Sequence, residues 1–350
     1  MRDRGRRLFL KGLAGTAAGL ALGGASGLDA AEKVKAADRR SRVAFVAGND
    51  RRDMMRDVLK PFEKEIREGI RGKKVVVKPN LVWDGNPLCA THPDAVRGVL
   101  DFLKPMYKGT VIVAESTASP KGTMYCFEEY GYKPIEREFN AKIVDLNTDS
   151  WTNVWIQDSN GYPIDIKIID TFLDPDTYII SLARMKTHDC VVATLGFKNM
   201  LMAAPLNVMK DRPEFVKNQH EKAKMHLGPA QSPSKGINYN MFLLSHHVRP
   251  EFTIIDGFEG MEGKGPAAGT PVDHRVMLAG PDVVSVDRVG IELMGIDYTN
   301  VGYLQWCSAA GIGQGDRAKI DLIGPDTSKY VKKYRLHDNI DWQLKWKEKA

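Results

Sequence analysis

Side chains that bind anions or transfer protons follow several short β-branched runs of the sequence, where the strands of a predicted sheet end. These are Lys78 and Asn80 after Val75–Val77, Glu115 after Val111–Ala114, Lys186 and His188 after Ile179–Leu182, and Asp256 after Ile254–Ile255. In open α/β sheets, ligands bind beyond the carboxyl ends of the strands. The sequence therefore predicts that these side chains meet at one rim and form a site.

The amines and amides of this set are suited to an anionic ligand. Lys78, Lys186 and Lys198, together with Asn80 and Asn199, would form a pocket for a carboxylate or a phosphate. A lysine crowded by other cations has a lowered pKa, so it can serve as a base or as a Schiff-base nucleophile. We expect Lys78, Asn80 and Asn199 to bind the substrate.

The predicted catalytic residues are Lys186, His188 and Lys198. His188 is the candidate general acid or base, because an imidazole titrates near neutral pH. A histidine held in place for structural reasons near the rim explains the same residue equally well. Glu115 completes the predicted substrate-binding group.

A second group of side chains is a candidate for a divalent metal. Its members are Asp256, Glu259, Glu262 and Asp287, with His226 or His188. Oxygen-rich ligands would favour Mg²⁺, Ca²⁺ or Mn²⁺. Their spacing matches no metal-binding motif, and carboxylates that pair with the lysines are the alternative explanation.

The glycine-rich stretch 257–269 invites comparison with phosphate-binding loops. Gly263-Lys264 is followed by Gly265 rather than by Ser or Thr, which excludes a P-loop. Pro266 supplies no N–H and no helix pattern begins there, so a dinucleotide fingerprint is excluded too. We predict a glycine-hinged flap over the site. A serine hydrolase is disfavoured because the sequence lacks G-x-S-x-G.

Several blocks of sequence carry a resemblance to a known family. They are Val75–Val82, Lys186-Thr187-His188, Leu195–Met200, His226, Ile255-Asp256-Gly257, Met261-Glu262-Gly263, Gly265-Pro266, Gly269, Ala279–Asp282, Val286-Asp287 and Leu293-Met294-Gly295. In order and spacing the chain resembles domain of unknown function 362, from about Val43 to Asp297. The resemblance implies no assigned activity.

Some members of that family join a ferredoxin-type iron–sulfur module, which the cysteines of this sequence do not support. Cys89, Cys126, Cys190 and Cys307 lie far apart, and no C-x-x-C occurs. We therefore expect no iron–sulfur cluster from the chain's own cysteines. Buried thiols are the expected state, and spacing alone selects no disulfide pair.

Alternation of strand and helix patterns from Arg42 onward predicts an α/β fold with a mostly parallel, doubly wound sheet. Two alternating segments around Asn160-Gly161 predict an inserted β-hairpin. Residues 204–235, rich in Lys, Pro, Asn and Gln, predict a long loop or lid. We assign one domain to residues 37–324 and a C-terminal extension to residues 325–350.

Residues 1–36 have the features of a secretory signal. Arg6-Arg7 with Phe9, Leu10 and Lys11 resembles the twin-arginine (Tat) export motif, and the uncharged stretch Gly12–Leu28 is too weakly apolar to span a membrane stably. Cleavage after Ala36 or within Gly23–Ala25 fits the small-residue rule. We expect the Tat translocase as a partner, a periplasmic location and no membrane span after processing. The Tat pathway generally carries proteins that have already folded in the cytoplasm, often because a cofactor is inserted there. The resemblance therefore raises the expectation of a bound cofactor or metal.

The formal charge of +6 overstates how basic the processed chain would be. Residues 1–36 hold seven basic and three acidic side chains, so their removal leaves a net charge of +2. No Lys/Arg stripe interleaved with aromatic residues appears in the body, and a nucleic-acid partner is excluded. Three hypotheses remain: an enzyme on a small anionic substrate, a non-catalytic ligand- or metal-binding or assembly protein, and a subunit of a redox complex.

Overall fold

The computed structural model describes residues 40–207, 221–229 and 232–348. The predicted leader 1–36, with its paired arginines and both cleavage positions, lies outside the described residues. Within the described ranges no helix is both long enough and apolar enough to cross a membrane.

One large sheet organises the molecule, and a two-stranded sheet lies beside it. The strands are β1 (Ser41–Ala47), β2 (Lys74–Pro79), β3 (Val111–Glu115), β4 (Ala141–Asp145), β5 (Trp151–Gln157), β6 (Pro163–Ile169), β7 (Thr177–Thr187), β8 (Ala193–Thr194), β9 (Phe252–Glu262), β10 (Thr270–Gly280) and β11 (Ile320–Ile323). The order in the large sheet is β11-β1-β10-β9-β7-β2-β3-β4, with β8 paired to β7. The separate sheet is the hairpin β5–β6.

The large sheet is mostly parallel, which confirms the predicted fold class. Neighbours from β9 through β7, β2 and β3 to β4 run parallel, as do β11 and β1. Strand β10 runs antiparallel to both β1 and β9, so the sheet is mixed on that side. The inserted β-hairpin is also confirmed, because Trp151 pairs with Ile169 and Gln157 with Pro163.

Helices cover both faces of the large sheet. On one side are Arg51–Leu59, Glu63–Gly69, Pro93–Leu103, Thr123–Glu129 and Ile135–Glu138; on the other are Gly196–Leu201, Pro233–Leu244, Val283–Leu293 and Gly302–Ala309, and two short helices are Glu221–Lys224 and Ile340–Gln343. Alternate residues of a strand enter different cores, since Val43 and Phe45 belong to one and Ala44 to the other. The fold thus consists of three layers with two apolar cores.

Several local features depend on details of the backbone and of side-chain rotamers. Residues 123–139 form two helices, Thr123–Glu129 and Ile135–Glu138, which are separated at Gly131, whose φ of +74° favours glycine. His92 accepts the N-cap hydrogen bond of Pro93–Leu103. Thr91 donates its hydroxyl to the Leu182 carbonyl. Side-chain caps depend on rotamers that spacing does not determine.

The predicted flap is shorter than expected, because most of the glycine-rich stretch belongs to strands. Residues 257–262 lie in β9, and β10 begins at Thr270, so only residues 263–269 form the connection. Pairing of β9 with β10 satisfies backbone groups that a flap would expose.

The predicted C-terminal extension contacts the rest of the molecule. The indole of Trp346 donates to the Asn300 carbonyl and stacks edge-on against Trp306. The domain boundaries stay a prediction.

Candidate functional site

A small cavity lies beyond the carboxyl ends of β2, β3 and β7. Its volume is about 240 Å³, below the range of roughly 300–1,000 Å³ typical of sites for drug-sized ligands. The cavity is lined by Lys78, Asn80, Leu81, Val82, Glu115, Ser116, Thr117, Ala118, His188, Asp189, Cys190, Lys198, Asn199, Met202, Ala203, Lys222, His226 and Pro266. Seven of the sequence-predicted site residues are in this set, and the space suits a small molecule.

Lys78 forms the centre of a buried network in the cavity wall. Its side chain is fully buried, and its amine donates to Glu115 Oε2 at 2.8 Å, Asn199 Oδ1 at 2.7 Å and the Pro79 carbonyl at 2.6 Å. Burial lowers the pKa of Lys78, and the facing carboxylate of Glu115 opposes that effect. Because an ammonium has three donors, all of them are occupied by protein atoms. Lys78 therefore supplies charge rather than a free donor.

Lys198 differs from Lys78 because its amine has no hydrogen-bond partner among the described residues. It lies on the helix Gly196–Leu201 and is only 5% exposed. Asp287 holds the start of that helix by accepting the Gly196 and Phe197 amides at 2.8 and 3.0 Å. Within the part of the chain that the structure describes, no side chain or carbonyl accepts a hydrogen bond from Lys198. Burial lowers the pKa of Lys198 to about 8.

Lys222 is a member of the site that sequence reasoning missed. It was assigned to the predicted lid 204–235, but it lies in the short helix Glu221–Lys224 and is 95% buried. Its amine donates to Ser116 Oγ at 3.0 Å and to the carbonyls of Met202 and Ala203 at 2.8 and 3.2 Å. Burial lowers its pKa to about 7. The spacing of Lys222 from His226, one helical turn, was the only sequence signal.

His188 lines the cavity, and its Nδ1 contacts two groups. It accepts the Cys190 amide at 2.9 Å and lies 3.1 Å from Asp189 Oδ1. Burial, reinforced by the charge of Lys198, lowers the pKa of His188 well below its usual value. A neutral ring that accepts the amide at Nδ1 carries its proton on Nε2 and can donate from there. The general acid or base role of His188 stays a prediction.

Lys186 does not line the cavity, unlike the other predicted catalytic residues. It is fully buried near the end of β7, and its amine donates to the Cys89 carbonyl at 2.9 Å and the Pro266 carbonyl at 3.4 Å. Burial lowers its pKa to about 7. These bonds connect β7 to two loops, so Lys186 supports the wall behind the site.

The predicted set of metal ligands is not brought together. The three carboxylates on β9 each face an arginine instead: Asp256 faces Arg51 at 3.1 Å, Glu259 faces Arg184 at 3.2 Å and Glu262 faces Arg335 at 3.8 Å. His226 lines the cavity, where its Nδ1 lies 3.9 Å from Cys190 Sγ. Asp287 caps the Lys198 helix, as described above. Arginine pairing on β9 is the physical reason for the difference.

Another group has ligand atoms close enough for a metal. Atoms of His188, Asp189 and Cys190 lie within 4.8 Å of one another, and this is the one such group within residues 40–207, 221–229 and 232–348. Its nitrogen, oxygen and sulfur donors suit Zn²⁺ better than Mg²⁺ or Ca²⁺. Two features oppose a cation: Nδ1 already accepts an amide, and burial raises the pKa of Cys190 to about 12.

The loop that carries His188 is held from the C-terminal extension. Gln343 is fully buried; its Nε2 donates to the His188 carbonyl at 2.9 Å and its Oε1 accepts the Val192 amide at 2.6 Å. Asn339 adds a bond from Nδ2 to the Asp189 carbonyl at 2.8 Å. Val192 has a φ of +69°, a strained value for a β-branched residue. Gln343 thus fixes a loop that is unfavourable in isolation.

Comparisons with known proteins identify the family of the chain. The family model described as domain of unknown function (DUF362) matches residues 75–292, which is more than half of the chain and includes the residues that line the cavity. A thylakoid-associated protein of Synechocystis sp. is 24% identical over 230 residues. That match covers 65% of this chain and 64% of the relative, which is less than two thirds of its length.

A crystal structure of a protein from Thermotoga maritima also matches. The identity is 14%, the TM-score is 0.39, and the match covers 65% of this chain and 55% of the other. This likeness is too low to carry a conclusion about fold or function.

Replacement of Gln343 by Leu should loosen the His188 loop while the sheet stays intact. The Val192 amide loses its acceptor, so we expect its hydrogen exchange to accelerate by at least about ten-fold. Exchange in β2 should not change. Gln305→Leu, which removes a bond to the Tyr298 carbonyl far from the loop, is the control. Unchanged protection of Val192 in Gln343→Leu would show that the loop does not depend on this side chain.

Proposed function

Because the chain belongs to the DUF362 family, whose description names no activity, we propose from the cavity that it is an enzyme acting on a small anionic substrate. The observation that supports this most is Lys198, a largely buried side chain that lines the cavity and whose amine finds no acceptor among the described residues. The donors of this amine are available to an anion in the cavity, which a charged hydrogen bond would hold. Lys222 and Lys78 add positive charge on the same wall.

The roles in this proposal follow from the protonation states. Lys198, with a pKa near 8, is partly neutral near pH 7 and serves as the proton-transfer group. His188 donates from Nε2 to the substrate anion, and Lys222 stabilises its charge. Asn80, Glu115 and Asn199 shape and orient the wall, and Lys186 supports it from behind.

Replacement of Lys198 by Met should weaken anion binding. Loss of a charged hydrogen bond predicts a fall in affinity for inorganic phosphate and acetate of about ten- to one-hundred-fold, measured by titration calorimetry. Lys60→Met, which removes an amine from the exposed surface, is the control. Undiminished affinity in Lys198→Met would contradict the proposal.

The same titrations should depend on pH through Lys198. Its pKa of about 8 in the folded protein means that the ammonium is present at pH 7 and largely lost by pH 9. We therefore expect the affinity of the wild-type protein for phosphate to fall across that range. Lys198→Met should lack the component centred near pH 8, while any change from Lys222, whose pKa is about 7, should remain.

Catalysis is distinguished from simple binding by proton exchange. We would incubate the protein with a mixture of small carboxylates in D₂O and follow deuterium incorporation next to the carboxylate by NMR. Incorporation that is lost in Lys198→Met supports an enzyme. Anion binding without exchange supports a non-catalytic ligand-binding protein instead.

We also propose that the protein is exported through the Tat pathway to the periplasm. The support is the twin-arginine motif within residues 1–36 and the uncharged stretch that follows it. Replacing Arg6 and Arg7 together with Lys preserves charge but removes the guanidinium pair, so we expect the protein to remain in the cytoplasmic fraction. The Arg2→Lys, Arg4→Lys variant is the control, and export of the Arg6/Arg7 variant at the normal level would contradict the proposal.

Metal binding is the second candidate function, favoured by the group His188, Asp189 and Cys190. Elemental analysis of the purified protein tests it directly. One equivalent of zinc in the wild-type protein, lost in Cys190→Ser, would support a metal-assisted enzyme or a metal carrier. Absence of metal together with a bound organic anion in native mass spectrometry would favour the lysine cavity alone.

A further inference from the structure

Four buried lysines lie in or behind the cavity wall, and three of their amines are already engaged. Lys78 and Lys222 each donate to three protein acceptors, and Lys186 donates to two carbonyls behind the wall. Only the protonated form of an amine has three N–H groups, so an amine with three acceptors is held as an ammonium. An ammonium has no lone pair with which to attack carbon. Lys78 and Lys222 therefore contribute charge to the cavity and not a nucleophile.

Lys198 is the buried lysine whose amine stays open. No residue that the structure describes accepts a hydrogen bond from it, yet its Nζ is not among the fully enclosed side-chain atoms that lack a partner, so this nitrogen keeps accessible surface. Lys198 lines the cavity, and the charged groups that act on its pKa, Asp189, Cys190 and Lys78, line the same cavity. The amine is therefore within reach of a molecule bound there.

The contacts distinguish Lys198 where basicity alone would not. Burial lowers the pKa of Lys198 to about 8; the charge of Asp189 opposes this effect and that of Lys78 adds to it. A desolvated lysine beside another cation is an activated nucleophile, because more of it is neutral. Basicity alone would favour Lys222, whose pKa is about 7, but its three acceptors hold its protons in place. The geometry thus selects Lys198 over Lys222.

We infer that the substrate is a small 2-oxo acid and that Lys198 forms an iminium with its carbonyl carbon. This inference rests on the proposed function, because the carboxylate must first bind in the cavity. In a 2-oxo acid the carboxylate is one bond away from the carbonyl carbon, so one nitrogen can hold the first group and then attack the second. A cavity of about 240 Å³ restricts the substrate to a few carbon atoms.

The step balances without an oxidant or a reductant. The neutral nitrogen of Lys198 forms a bond to the carbonyl carbon, and the carbon–oxygen bond breaks as the two protons of the nitrogen leave with the oxygen as water. A proton from solvent then converts the imine to the iminium. The proton-transfer role proposed for Lys198 is exercised within this step, because its protons pass to the departing oxygen. Lys78 and Lys222 stay charged and stabilise the neighbouring carboxylate.

Reductive trapping tests the bond directly. The full chain is incubated with pyruvate and sodium cyanoborohydride, which reduces an iminium to a stable secondary amine, and the adduct is located by peptide mass spectrometry. We expect one adduct for each chain, at Lys198 and not at Lys222. Lys198→Met should lack this adduct, whereas Lys60→Met, the surface control, should carry it at Lys198. Should Lys198→Met fail to fold, the position mapped in the wild-type protein still decides the inference.

A second probe separates recognition in the cavity from the reactivity of the carbonyl. Methyl pyruvate has a more electrophilic ketone than pyruvate but no negative charge, so reactivity alone would favour the ester. We expect pyruvate to label Lys198 at least about ten-fold faster, because the charged hydrogen bond binds it first. An excess of acetate should slow labelling at Lys198 by occupying the cavity, and it should not slow labelling of surface lysines.

The outcomes separate this inference from the proposed function. Absence of an adduct at Lys198, in a protein that still binds acetate and phosphate, overturns the inference and leaves the anion-binding function supported. Trapping at Lys222, or labelling of Lys198 that is no faster with pyruvate than with its ester, also overturns the inference. Failure of pyruvate, acetate and phosphate all to bind, with no adduct, overturns both.

Discussion

The buried ion pair between Lys78 and Glu115 is the interaction on which the arrangement of the site depends. It joins β2 to β3, and Glu115 also accepts the Leu81 and Ser116 amides, which fixes the turns after both strands. Breaking a buried pair by removal of one partner costs about 3–5 kcal/mol, since the remaining charge is left unpaired. The pair therefore constrains both the carboxyl ends of β2 and β3 and the cavity wall next to them.

The amines of the site are consequently divided by function. Those of Lys78, Lys186 and Lys222 donate to protein acceptors and organise loops around the cavity, whereas no acceptor for the amine of Lys198 lies in the part of the chain that the structure describes. A cluster of lysines would otherwise be electrostatically unstable. The protein balances one of them with a carboxylate and lowers the pKa of the others by burial. The anion-binding function proposed above depends on the charge that this arrangement retains at Lys198.

Sequence patterns predicted the strands and their polar ends well, because β-branched runs report burial directly. The predicted strand Ile179–Leu182 is too short, because β7 continues to Thr187 through Arg184 and Lys186. Those charges are buried because they donate to carbonyls at Ala90 and Cys89, more than ninety positions away. Hydrogen-bond partners so far apart along the chain leave no periodic pattern in the sequence. The same reason explains why Lys222 and Gln343 were missed and why the arginine partners of the β9 carboxylates were not foreseen.

The clamp formed by Gln343 also has a consequence for biosynthesis. The His188 loop and Gln343 are 155 positions apart, so the ribosome completes the loop long before its anchor has been translated. Until that anchor docks, the strained backbone at Val192 lacks the acceptor that stabilises it. A nascent chain can therefore form the sheet before the cavity wall around His188 is held in place. That wall is completed only once Gln343 has left the ribosome and docked on the loop.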